Sequence, residues 1–447
     1  MRFSSFADLF SHFAKRTPEA PALRFERDGS LQTMTYAEAE AAIAGRAEEL
    51  RGNKTCMGVL ADGSIDCVIE IFAALRAGMQ VVLLDENAPL TLLRGLLPYT
   101  DVDMLWGDSE LCEALAPSLA RGVSGGEGRV LFFTSGTTSR SKAVVLTEKS
   151  MCACAYNGST LLPLHEGDTL LCMLPIAHVF GFMCGMVWGL SCGACVALGR
   201  GARHYIDDCA FFKPTAVSVV PMLLGFLVKQ GLLNDELKVL LVGAGECQEA
   251  LINAVKAKGI RVCFGYGLTE TSSGVALSIG DEPYAMTICP DYTLSIAPDG
   301  EILIKTCACM MQGYYKCAED TNVALADGVF RTGDLGSIDE KGRLHVTGRK
   351  KDMLVLDDGT KIFLPEAEGA LSHMLGSADF ALALSAGRVT LAIYGDGRSD
   401  DELLDAIGAY QNERPIGQRV ASIKRLSEPL PRTATGKIKR WELKARL

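Results

Sequence analysis

The stretch 131–146, "LFFTSGTTSRSKAVVL", joins an apolar run to a hydroxyl-rich loop that carries one lysine. The apolar run predicts a buried strand, and the glycine and hydroxyl groups after it predict a loop at the strand's carboxyl end. As a nucleotide-binding P-loop the stretch fails, because Ser141 replaces the second glycine and Ala143 stands where a Ser or Thr would hold Mg²⁺. The residues alone leave three interpretations open: a damaged phosphate loop, a polar turn or a phosphate loop of another kind.

Length, composition and charge limit the class of protein. A chain of 447 residues is too long for one ordinary core and predicts two or more domains. A hydrophobic fraction of 48% with 22% charged residues is typical of a globular protein. The net charge is −10, and no basic cluster is long enough to predict nucleic-acid binding. The N-terminal stretch lacks a signal-peptide pattern, so we expect a cytoplasmic protein whose 16 cysteines are reduced.

Two features suggest other classes of protein, but both patterns are incomplete. Cys192 and Cys195 form a lone CxxC without the second pair that zinc sites have, so we interpret them as small core residues. The stretch 170–199 lacks Asp, Glu, Lys and Arg, as a membrane span would, but Pro175, His178 and several glycines interrupt it. We therefore predict a buried strand, loop and helix there, with no membrane span.

Strand-like and helix-like stretches alternate through most of the chain. Predicted strands lie at 56–60, 81–84, 129–135, 216–221, 237–245 and 261–267, and predicted helices at 66–78, 148–162 and 247–259. This alternation predicts an α/β fold in which a mostly parallel sheet is flanked by helices. Ligands of such sheets bind at the carboxyl ends of the strands, where the loop after residue 133 falls.

The composition changes after residue 348. The remainder predicts a hairpin, a helix, two strands, a helix, a strand and a final helix, and its length of about a hundred residues suits a small α+β domain. The basic run 349–351 is the predicted junction. We therefore divide the chain into a large N-terminal domain, 1–349, and a small C-terminal domain, 350–447.

Several loops offer groups that suit a nucleotide. The loop 134–142 supplies hydroxyls, backbone N–H groups and a lysine suited to β- and γ-phosphates. In "GYGLTET", Tyr266 suits stacking on a base, Thr269 a phosphate oxygen and Glu270 Mg²⁺. In "FRTGDLG", Asp334 suits two ribose hydroxyls. Taken singly, each has an ordinary structural alternative, such as a core tyrosine or a capping aspartate.

The order of these motifs resembles the acyl-adenylate-forming (AMP-binding) superfamily. The motifs are "TSGTTSRSK" (134–142), "LPIAHVFGF" (174–182), "GYGLTET" (265–271), "FRTGDLG" (330–336), "GRKKD" (348–352) and "PRTATGKIKR" (431–440). Acyl-CoA synthetases, peptide-synthetase adenylation domains and luciferases belong to this superfamily. The resemblance spans essentially the whole chain, is closest to fatty-acid–CoA ligases, and identifies 134–142 as the family's own phosphate loop.

The resemblance implies a role for each matching residue. The implied β,γ-phosphate ligands are Thr134, Ser135, Gly136, Thr137, Thr138 and Lys142. The implied adenine pocket consists of Gly243, Ala244, Gly245, Glu246, Tyr266 and Gly267. The remaining implied roles are Thr269 on the α-phosphate, Glu270 on Mg²⁺, Asp334 on the ribose hydroxyls, Arg349 on the ribose or the phosphates, Lys351 as the hinge of a mobile lid, and Lys437 as the catalytic lysine.

The resemblance also implies a reaction. ATP and Mg²⁺ would activate a carboxylate to an acyl-adenylate with release of pyrophosphate, and the acyl group would pass to the thiol of CoA. No acid lies between Asp168 and Asp207 to pair with an α-ammonium group, so we expect a fatty or arylalkanoic acid rather than an amino acid. His178 is implied to gate the acyl pocket, and its alternative is a core histidine.

Two other functions stay open at this stage. A stand-alone ligase would load the acyl group onto the phosphopantetheine of a carrier protein. A non-catalytic nucleotide-binding relative is the third hypothesis, because Ser139, Ser141 and Ala143 replace the family's usual Gly, Pro and Gly. Retention of the Lys437 position argues against this third hypothesis, since a purely binding protein would not need it.

Overall fold

A computed structural model describes the chain except for residues 53–54, 121–127, 135–141, 246, 357–359, 386 and 433–437. Its described strands form a 13-stranded sheet, a 6-stranded sheet, a 3-stranded sheet and a 2-stranded hairpin. Helices lie between most of the parallel strands, so the predicted α/β fold class is confirmed.

The 13-stranded sheet has a parallel centre and antiparallel flanks. Its strands, in spatial order, are Leu294–Ile296, Glu301–Lys305, Val329–Ile338, Arg343–Arg349, Met286–Ile288, Ser273–Leu277, Arg261–Leu268, Val239–Val242, Ala216–Val219, Thr169–Cys172, Cys195–Leu198, Pro21–Arg27 and Ser30–Thr35. The pairs from Arg261–Leu268 to Pro21–Arg27 are parallel, as the sequence predicts. The antiparallel strands beyond Arg261–Leu268 extend this sheet toward the C-terminal part of the chain.

The 6-stranded sheet contains the strand of the opening stretch. Its order is Gly313–Tyr314, Ala143–Thr147, Arg129–Phe133, Gln80–Leu84, Cys56–Leu60 and Met104–Trp106. The strands Arg129–Phe133 and Ala143–Thr147 form an antiparallel pair, with Phe133 opposite Ala143. The loop between them therefore starts and ends at the same edge of the sheet.

Helices cover these sheets. In chain order the helical segments outside the C-terminal part are Phe6–Arg16, Tyr36–Leu50, Ile65–Arg76, Leu90–Tyr99, Ser109–Leu115, Glu148–Leu161, Val179–Phe182, Trp188–Ser191, Tyr205–Phe212, Pro221–Gln230, Glu249–Lys256 and Ala318–Ala324. Thr35 and Glu38 form a capping box at the start of the second helix, which satisfies backbone N–H groups there. The predicted helices 66–78, 148–162 and 247–259 are confirmed as Ile65–Arg76, Glu148–Leu161 and Glu249–Lys256.

One apolar core joins the two large sheets. The ring of Phe182, which follows the central strand Thr169–Cys172, lies 5.6 Å from that of Phe132 in the other sheet. Phe6 and Phe72, on helices between the sheets, contact each other with ring centroids 5.1 Å apart in an edge-on arrangement. The largest buried cluster accordingly contains residues of both sheets. This shared core holds the sheet edges that carry the candidate site in place relative to each other.

The apolar stretch 170–199 is an internal part of this core. Its segments are the strand Thr169–Cys172, a helical stretch from Val179 to Ser191 with a π-helical turn at Met183–Val187, and the strand Cys195–Leu198. Across the part of the chain that the structure describes, no helix is long and apolar enough to cross a membrane. Cys195 is buried and Cys192 partly buried, and both are free thiols, as expected of packing residues.

The C-terminal part follows the predicted order of elements, except that two helices stand where one was predicted between the second and third strands. These are the hairpin Met353–Val355 and Lys361–Phe363, the helix Leu364–Leu375, the strands Asp379–Ser385 and Arg388–Tyr394, the helices Asp400–Ala406 and Gly408–Glu413, the strand Ser422–Arg425 and the helix Arg440–Ala445. A separate buried cluster lies among them. The domain boundary between 349 and 350 stays a prediction, although the last strand of the large sheet ends at Arg349.

Candidate active site

The carboxyl end of the central strand Arg261–Leu268 organises the candidate site. Its first half pairs in parallel with Val239–Val242, and its second half pairs antiparallel with Ser273–Leu277. Where the pairing changes, a Cβ on Gly267 would lie 1.7 Å from the carbonyl oxygen of Ser273, so the backbone there requires glycine. The "GYG" motif is thus a consequence of close strand packing, and it places Tyr266 and Glu270 near one sheet edge.

The first cluster of charged residues joins Tyr266, Asp334 and Arg349. The hydroxyl of Tyr266 donates to Oδ2 of Asp334 at 2.9 Å. The Nε of Arg349 lies 3.0 Å from Oδ1 of the same carboxylate. Asp334 and Arg349 are cross-strand partners in the antiparallel part of the large sheet. Tyr266 precedes Asp334 by 68 positions and Arg349 by 83 positions in the sequence. Strand pairing, rather than a loop, brings the three side chains together.

Burial dominates the electrostatics of this first cluster. The Asp334 side chain is only 3% exposed, whereas that of Arg349 is 45% exposed. Burial raises the pKa of Asp334 above its ordinary value, and the charge of Arg349 and the Tyr266 hydroxyl oppose that rise. Burial and the nearby Asp334 carboxylate also raise the pKa of Tyr266 well above its ordinary value. Tyr266 therefore remains a hydrogen-bond donor, and each oxygen of Asp334 keeps a second acceptor site for a ligand hydroxyl.

Glu301 supports this cluster, and the sequence reasoning did not single it out. Its buried carboxylate accepts from the backbone N–H of Gly333 at 3.0 Å and from Arg331 at 3.0 Å. The Nζ of Lys350 lies 3.2 Å from the same side chain. Glu301 thus holds the residues that precede Asp334 and follow Arg349.

The second cluster lies at the two ends of the predicted phosphate loop, at Thr134 and Lys142. The N–H of Thr134 donates to the carbonyl of Lys142 at 3.0 Å, and the N–H of Lys142 donates to Oγ1 of Thr134 at 3.3 Å. These bonds hold Thr134 and Lys142 next to each other. The predicted phosphate ligands Ser135, Gly136, Thr137 and Thr138, together with Ser139 and Ser141, lie outside the described residues.

Lys142 and Glu270 meet around Tyr314. The Tyr314 hydroxyl donates to Oε1 of Glu270 at 2.8 Å, and the Nζ of Lys142 lies 4.6 Å from the centre of the Tyr314 ring. The same Nζ lies 3.0 Å from Oδ2 of Asp320. Burial and the Glu270 carboxylate raise the pKa of Tyr314, so it too stays a donor. Neither Tyr314 nor Asp320 was a predicted site residue, because the sequence offers no motif that ties them to the loop at 134–142.

Hydrogen bonds to the segment 309–311 hold the loop that carries Thr269 and Glu270. Residues Thr269–Thr271 form a single 3₁₀ turn, and Ser272 follows in a left-handed conformation with φ of 54°. The hydroxyl of Ser272 donates to the carbonyl of Cys309 at 2.8 Å, and the N–H of Met311 donates to the carbonyl of Glu270 at 2.8 Å. The position of Glu270 is therefore fixed by the backbone before any ligand binds.

The predicted adenine pocket begins where the strand Val239–Val242 ends. A Cβ on Gly243 would lie 2.8 Å from Cε2 of Phe180, so the glycine lets that ring pack against the backbone. Ala244 has φ of 62°, a left-handed conformation that exposes it together with Gly245. Glu246 lies outside the described residues.

His178, Lys351 and Lys437 complete the predicted site residues. His178 is exposed and precedes the helical segment Val179–Phe182, so the alternative of a core histidine is wrong. Lys351 is exposed two residues after Arg349. Lys437 lies outside the described residues. Among the predicted site residues, the structure brings together Tyr266, Asp334 and Arg349 in one cluster. It brings Lys142 and Glu270 together around Tyr314 in another.

A magnesium ion that bridges protein and phosphates needs only one or two carboxylates from the protein, with water and phosphate oxygens as the other ligands. Glu270 is half-buried. Among the donors that the structure describes, only the Tyr314 hydroxyl contacts its carboxylate, at Oε1. No group of three His, Cys, Asp or Glu side chains able to hold a metal ion is found among the described residues. The donor set therefore fits a metal that arrives with a nucleotide rather than an all-protein metal cage.

Comparison with known proteins shows what the chain is similar to. Residues 121–315, which contain the predicted phosphate loop, Tyr266 and Glu270, match the AMP-binding enzyme family. This segment of the chain is thus similar to AMP-binding enzymes. Its relative 2-succinylbenzoate–CoA ligase of Listeria monocytogenes is 29% identical over 74% of this chain and 73% of the relative. A long-chain-fatty-acid–CoA ligase of Mycobacterium bovis, FadD15, is 28% identical over 52% of this chain and 48% of that protein.

Solved structures resemble the fold of this chain over nearly its full length. The O-succinylbenzoate coenzyme A synthetase of Bacillus subtilis, in complex with ATP and magnesium, matches with a TM-score of 0.81 at 23% identity, over 98% of this chain and 99% of that chain. ATP-bound MatB of Rhodopseudomonas palustris matches with a TM-score of 0.80 at 20% identity, over 100% and 99% of the two chains. At these identities the likeness establishes the fold.

Proposed function

We propose that this protein uses ATP to activate a carboxylic acid and transfers the acyl group to the thiol of CoA. One observation carries the proposal. The buried cluster around Asp334 and the charged cluster around Glu270 lie at the two ends of the segment Tyr266–Glu270, so one short stretch of chain spans a sugar-binding and a phosphate-binding arrangement. CoA ligases among the relatives support this activity.

The nucleotide would be held by ordinary hydrogen-bonding chemistry. Asp334 would accept hydrogen bonds from the two ribose hydroxyls, and Arg349 would hold the carboxylate in place. Gly243, Ala244, Gly245 and Glu246 would line the adenine with Tyr266 and Gly267. Lys142 and the hydroxyls of 134–138 would contact the β- and γ-phosphates. Glu270 would hold Mg²⁺, which supplies neutralisation of phosphate charge when bound.

The reaction would then need no protein nucleophile. A carboxylate oxygen of the acid attacks the α-phosphorus of ATP, and the bond to the leaving pyrophosphate breaks. The sulfur of CoA next attacks the acyl carbonyl carbon, and the bond to AMP breaks. Thr269 and Lys437 would contact the α-phosphate oxygens, so that catalysis is by positioning and charge stabilisation.

A two-domain arrangement would serve both steps. We assign ATP and acyl binding to residues 1–349 and a mobile lid with Lys437 to residues 350–447. Lys351 would act as the hinge between the two. The separate buried cluster of the C-terminal part supports this division.

The acid would lack an α-amino group. The stretch 170–199 offers no anion that could pair with a buried ammonium, and an unpaired buried charge is costly. His178 would gate the entry of the acid, since it is exposed at the start of a helical segment whose Phe180 packs against Gly243. The relatives named for 2-succinylbenzoate and long-chain fatty acids support an aryl or alkyl acid.

Direct detection of the thioester tests the acceptor. The protein is incubated with ATP, Mg²⁺ and a panel of alkanoic and arylalkanoic acids, with either CoA or a carrier protein that bears phosphopantetheine, and products are identified by mass spectrometry. We expect acyl-CoA. If acylated carrier protein forms and acyl-CoA does not, the acceptor is a carrier protein and not CoA.

The lysine assignment has its own test. Lys437→Ala is expected to lower the rate of adenylation by about 10²–10³ while ATP binding persists, because one transition-state charge partner is lost. Lys439→Ala is the control, since Lys439 lies two residues further on and is 3.7 Å from Glu442. Equal rates in Lys437→Ala and the wild type would remove Lys437 from the reaction.

A further inference from the structure

We propose that Tyr314 is a positioning residue that holds the Glu270 carboxylate in its Mg²⁺-binding orientation and places the Lys142 ammonium beside it. The inference rests on the proposed function, because both partners act there on the nucleotide. Tyr314 would not touch the reacting atoms itself. It would act through the two side chains that do.

Strand pairing fixes the backbone of Tyr314 relative to the strand that follows Lys142. The short strand Gly313–Tyr314 pairs antiparallel with Ala143–Thr147, which begins directly after Lys142. The N–H of Gln312 donates to Val145 at 2.9 Å, and that of Tyr315 donates to Ala143 at 2.8 Å. The ring over the ammonium is therefore set by strand register, not by a chance surface contact.

A second element holds the same residue from the other side. The N–H of Tyr314 donates to Oγ1 of Thr321 at 2.9 Å. A Cβ on Gly313 would lie 2.7 Å from Cγ2 of Thr321, so glycine allows the strand to approach the helix Ala318–Ala324 this closely. That helix also carries Asp320, the ion-pair partner of Lys142. Tyr314 of the strand and Asp320 of the helix thus lie together with Lys142 and Glu270.

The hydrogen bond leaves half of the carboxylate for a ligand. The Tyr314 hydroxyl donates to Oε1 of Glu270 at 2.8 Å, and no described donor contacts Oε2. A hydroxyl that fixes one oxygen restricts rotation of the carboxylate and directs the other oxygen. Partners of this kind behind a metal-binding carboxylate commonly affect metal affinity by about 10- to 100-fold.

The decisive variant is Tyr314→Phe, which removes the hydroxyl but keeps the ring beside Lys142. Calorimetry measures ATP binding over a range of Mg²⁺ concentrations. We expect the Mg²⁺ concentration needed for half-maximal ATP binding to rise by about tenfold, while ATP affinity without Mg²⁺ and the melting temperature stay near those of the wild type.

Tyr315→Phe is the matched control. The Tyr315 hydroxyl also donates to a carboxylate, Oδ2 of Asp101, at 2.8 Å, but this bond belongs to a different cluster. The proposal is overturned if Tyr314→Phe keeps the Mg²⁺ dependence of the wild type, or if both variants shift it equally.

The binding assay separates this inference from the proposed function. Wild-type binding of ATP with Mg²⁺, without pyrophosphate release for any acid, would contradict the proposed reaction and still support the positioning role if only Tyr314→Phe shifts the Mg²⁺ dependence. A wild type that does not bind ATP with Mg²⁺ would overturn both.

Discussion

The candidate site contains the same chemical combination twice, in two different settings. On the proposed ribose side a tyrosine hydroxyl and an arginine contact one carboxylate, Asp334, which is 3% exposed. On the proposed phosphate side a tyrosine hydroxyl contacts Glu270, but the nearby cation, Lys142, pairs with a different acid, Asp320. Lys142 and Asp320 are 32% and 49% exposed.

Because of this difference in burial, we expect the contacts of Asp334 to stay the same when a nucleotide binds and the ion pair of Lys142 to change. Exchange of partners inside the buried cluster would leave a charge unpaired, which is costly, so Asp334 and Arg349 should keep their places when a nucleotide binds. An exposed ion pair contributes little, so a phosphate can replace Asp320 as the partner of Lys142 at small cost. The predictions below test this contrast, from the largest expected effect to the smallest.

Asp334→Asn should have the largest effect on nucleotide binding. The amide cannot offer both ribose hydroxyls a charged acceptor, and each hydrogen bond to a charged group contributes about 1.5–3 kcal/mol. We expect ATP affinity to fall by about a hundredfold in a calorimetric titration. The control is Asp339→Asn, because Asp339 makes a similar bond to Arg343, at 2.8 Å, near the turn of the same hairpin. Similar losses in both variants would show a structural effect on the hairpin rather than a ribose contact.

Tyr266→Phe should weaken adenosine binding by about tenfold, since one hydrogen bond that orients the buried carboxylate is lost. The ring stays in place, so packing in the adenine pocket is preserved. Tyr36→Phe is the matched control, because it removes a buried hydroxyl that donates to the carbonyl of Ala194 at 2.9 Å, outside the site. Unchanged adenosine affinity in Tyr266→Phe would mean that Arg349 alone positions Asp334.

The raised pKa of Asp334 predicts a pH dependence. Its ionised form accepts the ribose hydroxyls, so adenosine affinity should fall as the pH is lowered toward 3.8, beginning at a higher pH than for an ordinary aspartate. For folding the sign is opposite: because the folded-state pKa is raised, the proton stabilises the fold fully below 3.8, and this contribution is lost as the pH rises through the folded pKa. Titrations of adenosine binding in wild type and Asp334→Asn check the first statement, since the pH-dependent part should vanish in the variant. An identical pH profile in both would contradict it.

Asp320→Asn should have the smallest effect, and in the opposite direction. Release of Lys142 from an exposed ion pair, which is worth about 0.2–1 kcal/mol, should raise ATP affinity by no more than about fivefold. Glu319→Gln removes the same charge from the adjacent, exposed position and serves as the control. A loss of ATP affinity in Asp320→Asn would mean that Asp320 positions Lys142 for the phosphates instead of competing with them.

The sequence predicted the fold better than it predicted the details of the site. Strand–helix alternation and the order of elements after residue 348 were predicted correctly, because apolar periodicity is a local signal. The antiparallel strands beyond Arg261–Leu268 were not placed, since their pairing joins segments far apart in the chain. The motif order singled out Asp334 and Arg349, whose contact depends on cross-strand register.

Tyr314, Asp320 and Glu301 were missed for the same physical reason. Tyr314 reaches Glu270 and Lys142 through a two-residue strand that no periodicity reveals. Glu301 contacts the backbone of Gly333 through a buried carboxylate, and a single acid in an apolar strand gives no indication of its partner. For His178 the apolar neighbours suggested burial as an alternative, yet the side chain is exposed because it stands just before a helical segment rather than inside it.

The central claim, that this protein joins a carboxylate to the α-phosphate of ATP, is tested most directly by ATP–pyrophosphate exchange. Labelled pyrophosphate, ATP and Mg²⁺ are incubated with the protein and, one at a time, alkanoic acids, arylalkanoic acids and free amino acids. We predict label in ATP only when a carboxylic acid without an α-amino group is present. Exchange that prefers a free amino acid, or release of phosphate and ADP in place of pyrophosphate and AMP, would contradict the account.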